Sequence, residues 1–506
     1  MQSSSSSGYS SASTQLSDRF AESKALAAHY LKDNIDGIYT IAEHSDQSTQ
    51  EFVNRQAKSI AKLINKLVRR AKPGLTKAKL EKKLKKTIKK HLKRRSPAGL
   101  HSMKTDAEMF NSVKSFLPWL CPDSDSTFSP TNKQHIYPCI SELINFVAEL
   151  IVRPLKDQQP ASSDEQPQRL FRPYLLTDVK PDKSEDKHCI GMALKCDTLN
   201  YITGDNAEYN EDSYQITEAC LKANDEWSDE QPNYPCIFAV VDVESNSSNA
   251  KMQDGFARLV EYSKGVYRNQ CNRCFIWGLV SGGPKVKACA LGPNFLLASP
   301  FMDVTAVNGR LELIRYLVNW SFCELPKLGY DPSIRYNYKH ECFAIDMVNG
   351  NEPMPTQTTY YLREIVVIAE RVFGRHTRCF VVGKQPRSLG ADNVTSDDIL
   401  VKDAWPEVSD SVEDDMRDEA KLLQRVSDGL AGHSEFNGLY PKYISGGRMQ
   451  IQNAHGESVD DTTRTVLGET VWAQLGKLPI RAHMRIAMSG VGEPLKTVRS
   501  IPELIV

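Results

Sequence analysis

The sequence predicts a multidomain α+β protein, and three features carry that expectation. They are the chain's 506 residues, a change from helical to strand-like periodicity near residue 169, and a polar Pro/Gln/Ser-rich stretch just before it. At about 100–200 residues per domain, this length predicts two to four folded units. A hydrophobic content of 40% is that of an ordinary globular chain and excludes wholesale disorder. No run approaches the roughly 18 apolar residues of a membrane span. The Ser-rich residues 1–13 hold neither a basic nor an apolar region, so they do not read as a secretory signal. Twelve scattered cysteines fit a reducing intracellular compartment, cytoplasmic or nuclear, rather than a disulfide scaffold.

Residues 1–14 read as a disordered lead, and 15–153 as a helical region. Leu16, Phe20, Leu26, Ala27, Tyr30 and Leu31 recur near helical spacing. Ser48 followed by Glu51 is a capping-box pattern that opens a second helix. Within it Val53, Ala57, Ile60, Ile64 and Leu67 are spaced 4, 3, 4, 3, the seam of a coiled coil. Two heptads fit a homo-oligomeric coiled coil and a short bundle within the chain equally well. Pro73-Gly74 interrupts, and a third helix places Leu80, Leu84, Ile88 and Leu92 on one stripe with Lys at nearly every other position. Between Arg55 and Arg95 stand 18 Lys/Arg and one acid, Glu81, a net +17 against −17 for the rest of a neutral chain. Such a one-signed arm points to nucleic acid or another polyanion. Without interleaved aromatics it supports phosphate contact rather than base stacking. An apolar helix around Ile140–Ile151 closes the region, and residues 154–168 read as a linker.

From Arg169 the pattern becomes strand-like. Cys236–Val241 is a continuous apolar run, the sign of a doubly buried strand, and Asp242-Val-Glu244 ends it. A helix over 253–267 follows, then a strand at Cys274–Val280. Gly282-Gly283 turns the chain into a partner strand at Val286–Leu291. This order is that of a restriction-endonuclease-like α/β domain, assigned to 169–305. In that type an Asp and an acid-x-Lys pair bind Mg²⁺ and activate water. Here Asp197 and Asp242 are the candidate acids. Glu244 stands where the Lys belongs, and Lys251 is the nearest substitute cation. A carboxylate cannot polarise water as an ammonium does, so the expectation is a catalytically silent scaffold. Cys271-x-x-Cys274 lacks a second pair and reads as structural. Eleven His show no metalloprotease spacing, and no metal site is expected.

Residues 306–360 read as a helical connector with a helix at Leu311–Phe322, and 361–506 as strand-rich with one strong helix. Val372–Val382 reads as strand, glycine turn at Gly374, strand. Ile399–Lys402 is a strand that places one Lys. A helix over 412–427 sets Glu419 on a face with Ala420, Leu422, Leu423 and Val426. Met484–Met488 is a further strand. A glycine hairpin, a strand Lys and a helix Glu, in this order, match the N-lobe of a protein kinase.

The motifs Arg273-Cys-Phe-Ile-Trp-Gly-Leu279, Phe373-Gly-Arg-His-Thr377 and Val401-Lys-Asp-Ala-Trp405 resemble the fungal-type protein kinase family. So do Arg485-Ile-Ala-Met488, Gly492-Glu-Pro-Leu495 and Glu503-Leu504. The resemblance covers about residues 169–506. It implies ATP and Mg²⁺ as cofactors, with Lys402 on the phosphates, Glu419 as its partner and Gly374 in the covering loop. Met488 to Gly492 would be the hinge. The overall order is also similar to the Spok-type spore-killer proteins, which would imply a nuclease-like part beside a kinase-like one. No His-Arg-Asp and no Asp-Phe-Gly follow Lys402. The chain is therefore expected to be a fragment or a pseudokinase, with a protein substrate left unidentified. A nucleic-acid-associated nuclease-like protein is the alternative.

Overall fold

A computed structural model describes residues 9–43, 47–71, 76–93, 105–122, 128–152, 173–176, 192–196, 237–323, 325–337, 342–348, 357–368, 371–386, 398–408, 419–433, 440–452, 458–476 and 478–489. The chain divides into two units. The first is Met1–Pro332 with Arg371–Phe373 and Val466–Lys477; the second is Ser333–Glu370, Gly374–Thr465 and Leu478–Val506. Mixed α/β content is borne out.

The first unit opens with helix α1 (Tyr9–Tyr30), which starts inside the stretch expected as a lead. It continues with α2 (Gln47–Arg70), α3 (Lys77–Leu92), α4 (Asp106–Leu120) and α5 (Lys133–Val152). Val53, Ala57, Ile60, Ile64 and Leu67 are all buried within the chain. Their helix packs on α7 (Val307–Phe322), where the Phe52 and Phe322 rings meet edge-on at 5.6 Å. The coiled-coil reading is corrected accordingly. The heptad seam is a bundle seam covered by the chain itself, and it offers no apolar stripe to a second copy.

An eight-stranded sheet follows, built from β1 (Leu31–Lys32), β2 (Pro173–Leu176), β3 (Met192–Cys196), β4 (Ile237–Glu244), β5 (Ile276–Gly282), β6 (Lys285–Gly292), β7 (Phe295–Ala298) and β8 (Met302–Asp303). Its order is β1-β7-β6-β5-β4-β3-β2, with β8 beside β6. β4 and β5 run parallel across the crossover helix α6 (Asn249–Asn269). That helix buries Met252, Phe256, Leu259 and Val260 against Val240, Ile276 and Val280 of the sheet. Each such side chain contributes about 1.5–3 kcal/mol by leaving water. The β5–β6 turn is made at Gly283, whose φ of 64° suits glycine. Cys271 and Cys274 are buried and are not disulfide-bonded.

The second unit holds a fully antiparallel seven-stranded sheet. Its strands are β9 (Ile334–Asn337), β10 (Cys342–Val348), β11 (Gln357–Val367), β12 (Arg378–Gly383), β13 (Ile399–Ala404), β15 (Lys442–Arg448) and β19 (Met484–Ser489), in the order β15-β19-β13-β12-β11-β10-β9. Two small ribbons pair β14 (Glu407–Val408) with β18 (Ile480–Arg481), and β16 (Gln450–Gln452) with β17 (Ser458–Asp460). The helix α8 spans Glu419–Leu430. The expected helical connector 306–360 is corrected. After α7 the chain enters β9 and β10, whose Cys342, Ala344, Ile345 and Met347 are buried. β10 lies between β9 and β11 and is buried at successive positions, including the polar Asp346, so it lacks the alternation by which a strand is read from sequence. The hairpin expected at 372–382 also shifts: its first strand ends at Val367, and Val372 and Phe373 instead sit in the core of the first unit. No helix among the described residues is long and apolar enough to cross a membrane.

Candidate functional site

Alternation along β13 sends successive side chains to opposite faces of its sheet. Leu400 and Lys402 face one side, where Leu400 joins Ala420 and Leu423 of α8 and Met484, Ile486 and Met488 of β19. Lys402 stands opposite Ile486 on β19 and opposite Cys379 on β12. Its Nζ donates to Glu419 Oε1 on the first turn of α8. A carboxylate there also answers the positive end of the helix. The family resemblance implied Glu419 as the partner of Lys402, and the structure brings the two side chains together. It turns α8 differently from the expected face: Ala420 and Leu423 point at the sheet, while Leu422 and Val426 are 48% and 39% exposed. The part of the expected helix before Glu419 lies outside the described residues.

Gly374 lies on the connection between β11 and β12 with φ 118°, and a β-carbon there would meet nothing within 4 Å. Nearby, His376 adopts φ 48°, and burial beside Arg378 pushes its imidazole down to about 3, so the ring is neutral at physiological pH. Trp405 N donates to Arg375 O at 2.6 Å and ties this loop to the end of β13. Met488 is buried at the end of β19, paired with Leu400 and Tyr443. Gly492 lies outside the described residues.

The opposite face of β13 carries Asp403, a residue that sequence reasoning passed over. It is fully buried. Arg378 donates to its Oδ1 through Nη2 at 2.6 Å and Nε at 3.1 Å. Arg485 donates to Oδ2 at 2.7 and 2.9 Å, and His483 Nε2 lies 2.8 Å from the same oxygen. The other ring nitrogen of His483 meets Asp461 at 2.9 Å, so carboxylates flank both nitrogens. Trp405 stacks on that ring at 4.8 Å. The cations hold the Asp403 carboxyl well below the usual carboxylate range, against the opposing effect of burial. A signal existed in the sequence: Asp403 and Arg485 are charges placed within largely apolar strands.

In the first unit, Asp242 and Glu244 are two apart on β4 and share a face, and both side chains are 1% exposed. Arg258 of α6 reaches both. Its Nε donates to Asp242 at 2.9 Å, and its Nη2 pairs with Glu244. Lys133, at the start of α5, holds the other Glu244 oxygen at 2.9 Å. The Tyr137 hydroxyl also bonds Asp242. Burial pushes the Asp242 carboxyl up, opposed chiefly by Arg258. Burial also lowers the Lys133 ammonium. Two acids thus meet two bases, which leaves no net negative charge to attract a divalent cation. Lys251, expected to serve this pair, is corrected: it is half exposed and pairs with Asp254 at 3.6 Å. The two cations share a helical phase, seven residues apart, and axial position separates them: Lys251 sits in the first turn of α6, two turns before Arg258. Asp197 lies outside the described residues.

A family model described as "Fungal protein kinase" matches residues 216–506. No curated protein and no solved structure matches the chain.

Proposed function

We propose, for a chain that belongs to the fungal protein kinase family, that its second unit binds the phosphates of ATP through Lys402. The observation that carries this reading is the Lys402–Glu419 ion pair. Counted from the strand before Gly374, Lys402 stands on the third strand and Glu419 on the helix that follows, the placement of the phosphate-gripping Lys and its helix Glu in kinases. On this reading, residues 361–506 form an N-lobe-like domain. Glu419 fixes the ammonium, Gly374 lets the backbone approach the phosphates with no side chain in the way, and Met488 leads into the hinge. ATP, when bound, supplies a transferable γ-phosphoryl group.

The residues do not fit Mg²⁺ equally well. Glu419 is engaged with Lys402, and Asp403 is committed to two arginines on the opposite face. For residues 169–305 we favour a nuclease-like scaffold without catalysis, because Arg258 and Lys133 already neutralise Asp242 and Glu244.

Titration calorimetry with ATP tests the reading, with Lys402→Met and Glu419→Gln alongside. Both variants are expected to weaken binding by tenfold or more while the unfolding midpoint stays put. Equal affinity in wild type and Lys402→Met would remove the proposal.

A further inference from the structure

Helix α3 turns Leu84, Thr87, Ile88 and Leu92 inward, where all four are buried. Its outer face carries Lys79, Lys82, Lys83, Lys86, Lys89 and Lys90, all exposed. At 3.6 residues per turn these six fan over about 120° of the helix. None of the six has an acidic partner among the described residues. The one acid of the helix, Glu81, lies off this face and pairs with Lys114 at 3.6 Å. Arg70 fastens α3 to α2 by donating to Lys83 O at 3.2 Å and to Thr87 Oγ1, so the lysines stand on a fixed support. The partner helix α2 adds Lys58, Lys62, Lys66 and Arg69, again exposed and one helical turn apart.

Such a face is complementary to closely spaced anions, and its details choose among them. A helix lying on a membrane presents apolar side chains beside its lysines, and every apolar residue of α3 from Leu84 on is buried. Single strands are gripped by exposed aromatic platforms; α3 has no aromatic, and the single Phe of α2, Phe52, is occupied by Phe322. The major groove of B-form DNA, about 12 Å wide, admits an α-helix with phosphates on both walls, whereas the deep, narrow groove of duplex RNA does not. Lysines fanned over a third of a helix reach both walls at once. We propose that α3 is a sequence-independent binding element for duplex DNA, seated along the major groove and held by phosphate contacts. This inference is independent of nucleotide binding by the second unit.

Fluorescence anisotropy with the full chain tests it, using a mixed-sequence DNA duplex, the matching RNA duplex and phosphatidylserine vesicles. With about six phosphate contacts, the log–log salt slope should be near −5, and affinity should fall roughly a thousandfold between 50 and 200 mM salt. Lys82→Gln/Lys86→Gln/Lys89→Gln should make the slope shallower by about 3. The exposed Lys251→Gln should leave it unchanged. An unaltered circular-dichroism melting curve identifies the triple variant as folded, since all three side chains are exposed. DNA binding at least tenfold tighter than RNA or vesicle binding supports the proposal. No DNA binding at 50 mM salt, RNA or vesicle binding as tight as DNA binding, or a slope indifferent to the triple variant would overturn it.

Discussion

Asp403→Ala is expected to loosen the second unit and spare the first. The substitution deletes the carboxylate on which Arg378, Arg485 and His483 converge. It leaves three residues no more than 1% exposed, two of them permanent cations. Breaking a buried ion pair by removing one partner costs about 3–5 kcal/mol. With two guanidiniums stranded, the upper end, about 5 kcal/mol, is expected, a large share of a domain's total of about 5–15 kcal/mol. Arg485 still bonds Asp346 O at 2.7 Å and Ser333 at 2.8 Å, which limits the loss. Hydrogen exchange followed by mass spectrometry locates the effect. Peptides of β12, β13 and β19 should lose protection, while those of β4–β6 keep it. The pH dependence has a definite sign. Because the folded pKa of Asp403 is depressed, its stabilisation is present above the ordinary carboxylate pKa and is lost only as pH falls through the folded value. The wild-type second unit should therefore resist acid until well below pH 4, and Asp403→Ala should lack that acid-labile component. A loss under about 1 kcal/mol, the range of an exposed pair, or equal loss of protection in both units would refute the reasoning.

Arg258→Ala should behave oppositely with pH. The buried Asp242 carboxyl is already raised, so its stabilisation is greatest at low pH and is lost as pH rises through the folded value. Removing Arg258 raises the carboxyl further, so the variant's melting temperature should increase from pH 7 to pH 5; a flat profile would contradict the pairing. Plasmid DNA incubated with the chain and Mg²⁺ or Mn²⁺ should stay intact by gel electrophoresis, and cleavage abolished by Asp242→Ala would reverse the scaffold reading. Gly374→Ala should lower the urea midpoint of the second unit by an amount equivalent to about 1–3 kcal/mol, since an L side chain rarely adopts its φ of 118°; an unchanged midpoint would show that the loop adapts freely.

Many helices and strands, and the accumulation of charge, could be read from the chain alone, because periods of 3.6 and 2 and one-signed runs are local properties; β9 and β10 could not, since they lack such a period. The apolar run into Asp242, the crossover helix after it and the lysines on α3 were all legible in this way. Lys402 and Glu419 were legible as residues from ordered motifs, and their pairing was implied by the family resemblance rather than by any local period. Their contact, and which face α8 turns to the sheet, depended on the register of β13 against β19. The partners of buried charge were set by long-range packing. Arg258 reaches Asp242 across 16 positions, Lys133 reaches Glu244 across 111, and Asp403 gathers Arg378 and His483 from both sides in the chain. The heptad seam of α2 is the same lesson in apolar form. Its spacing specifies an apolar stripe, but a stripe fits any complementary surface, and α7 of the same chain covers it. Local pattern sets which face must leave water, and long-range packing alone selects what it leaves water for.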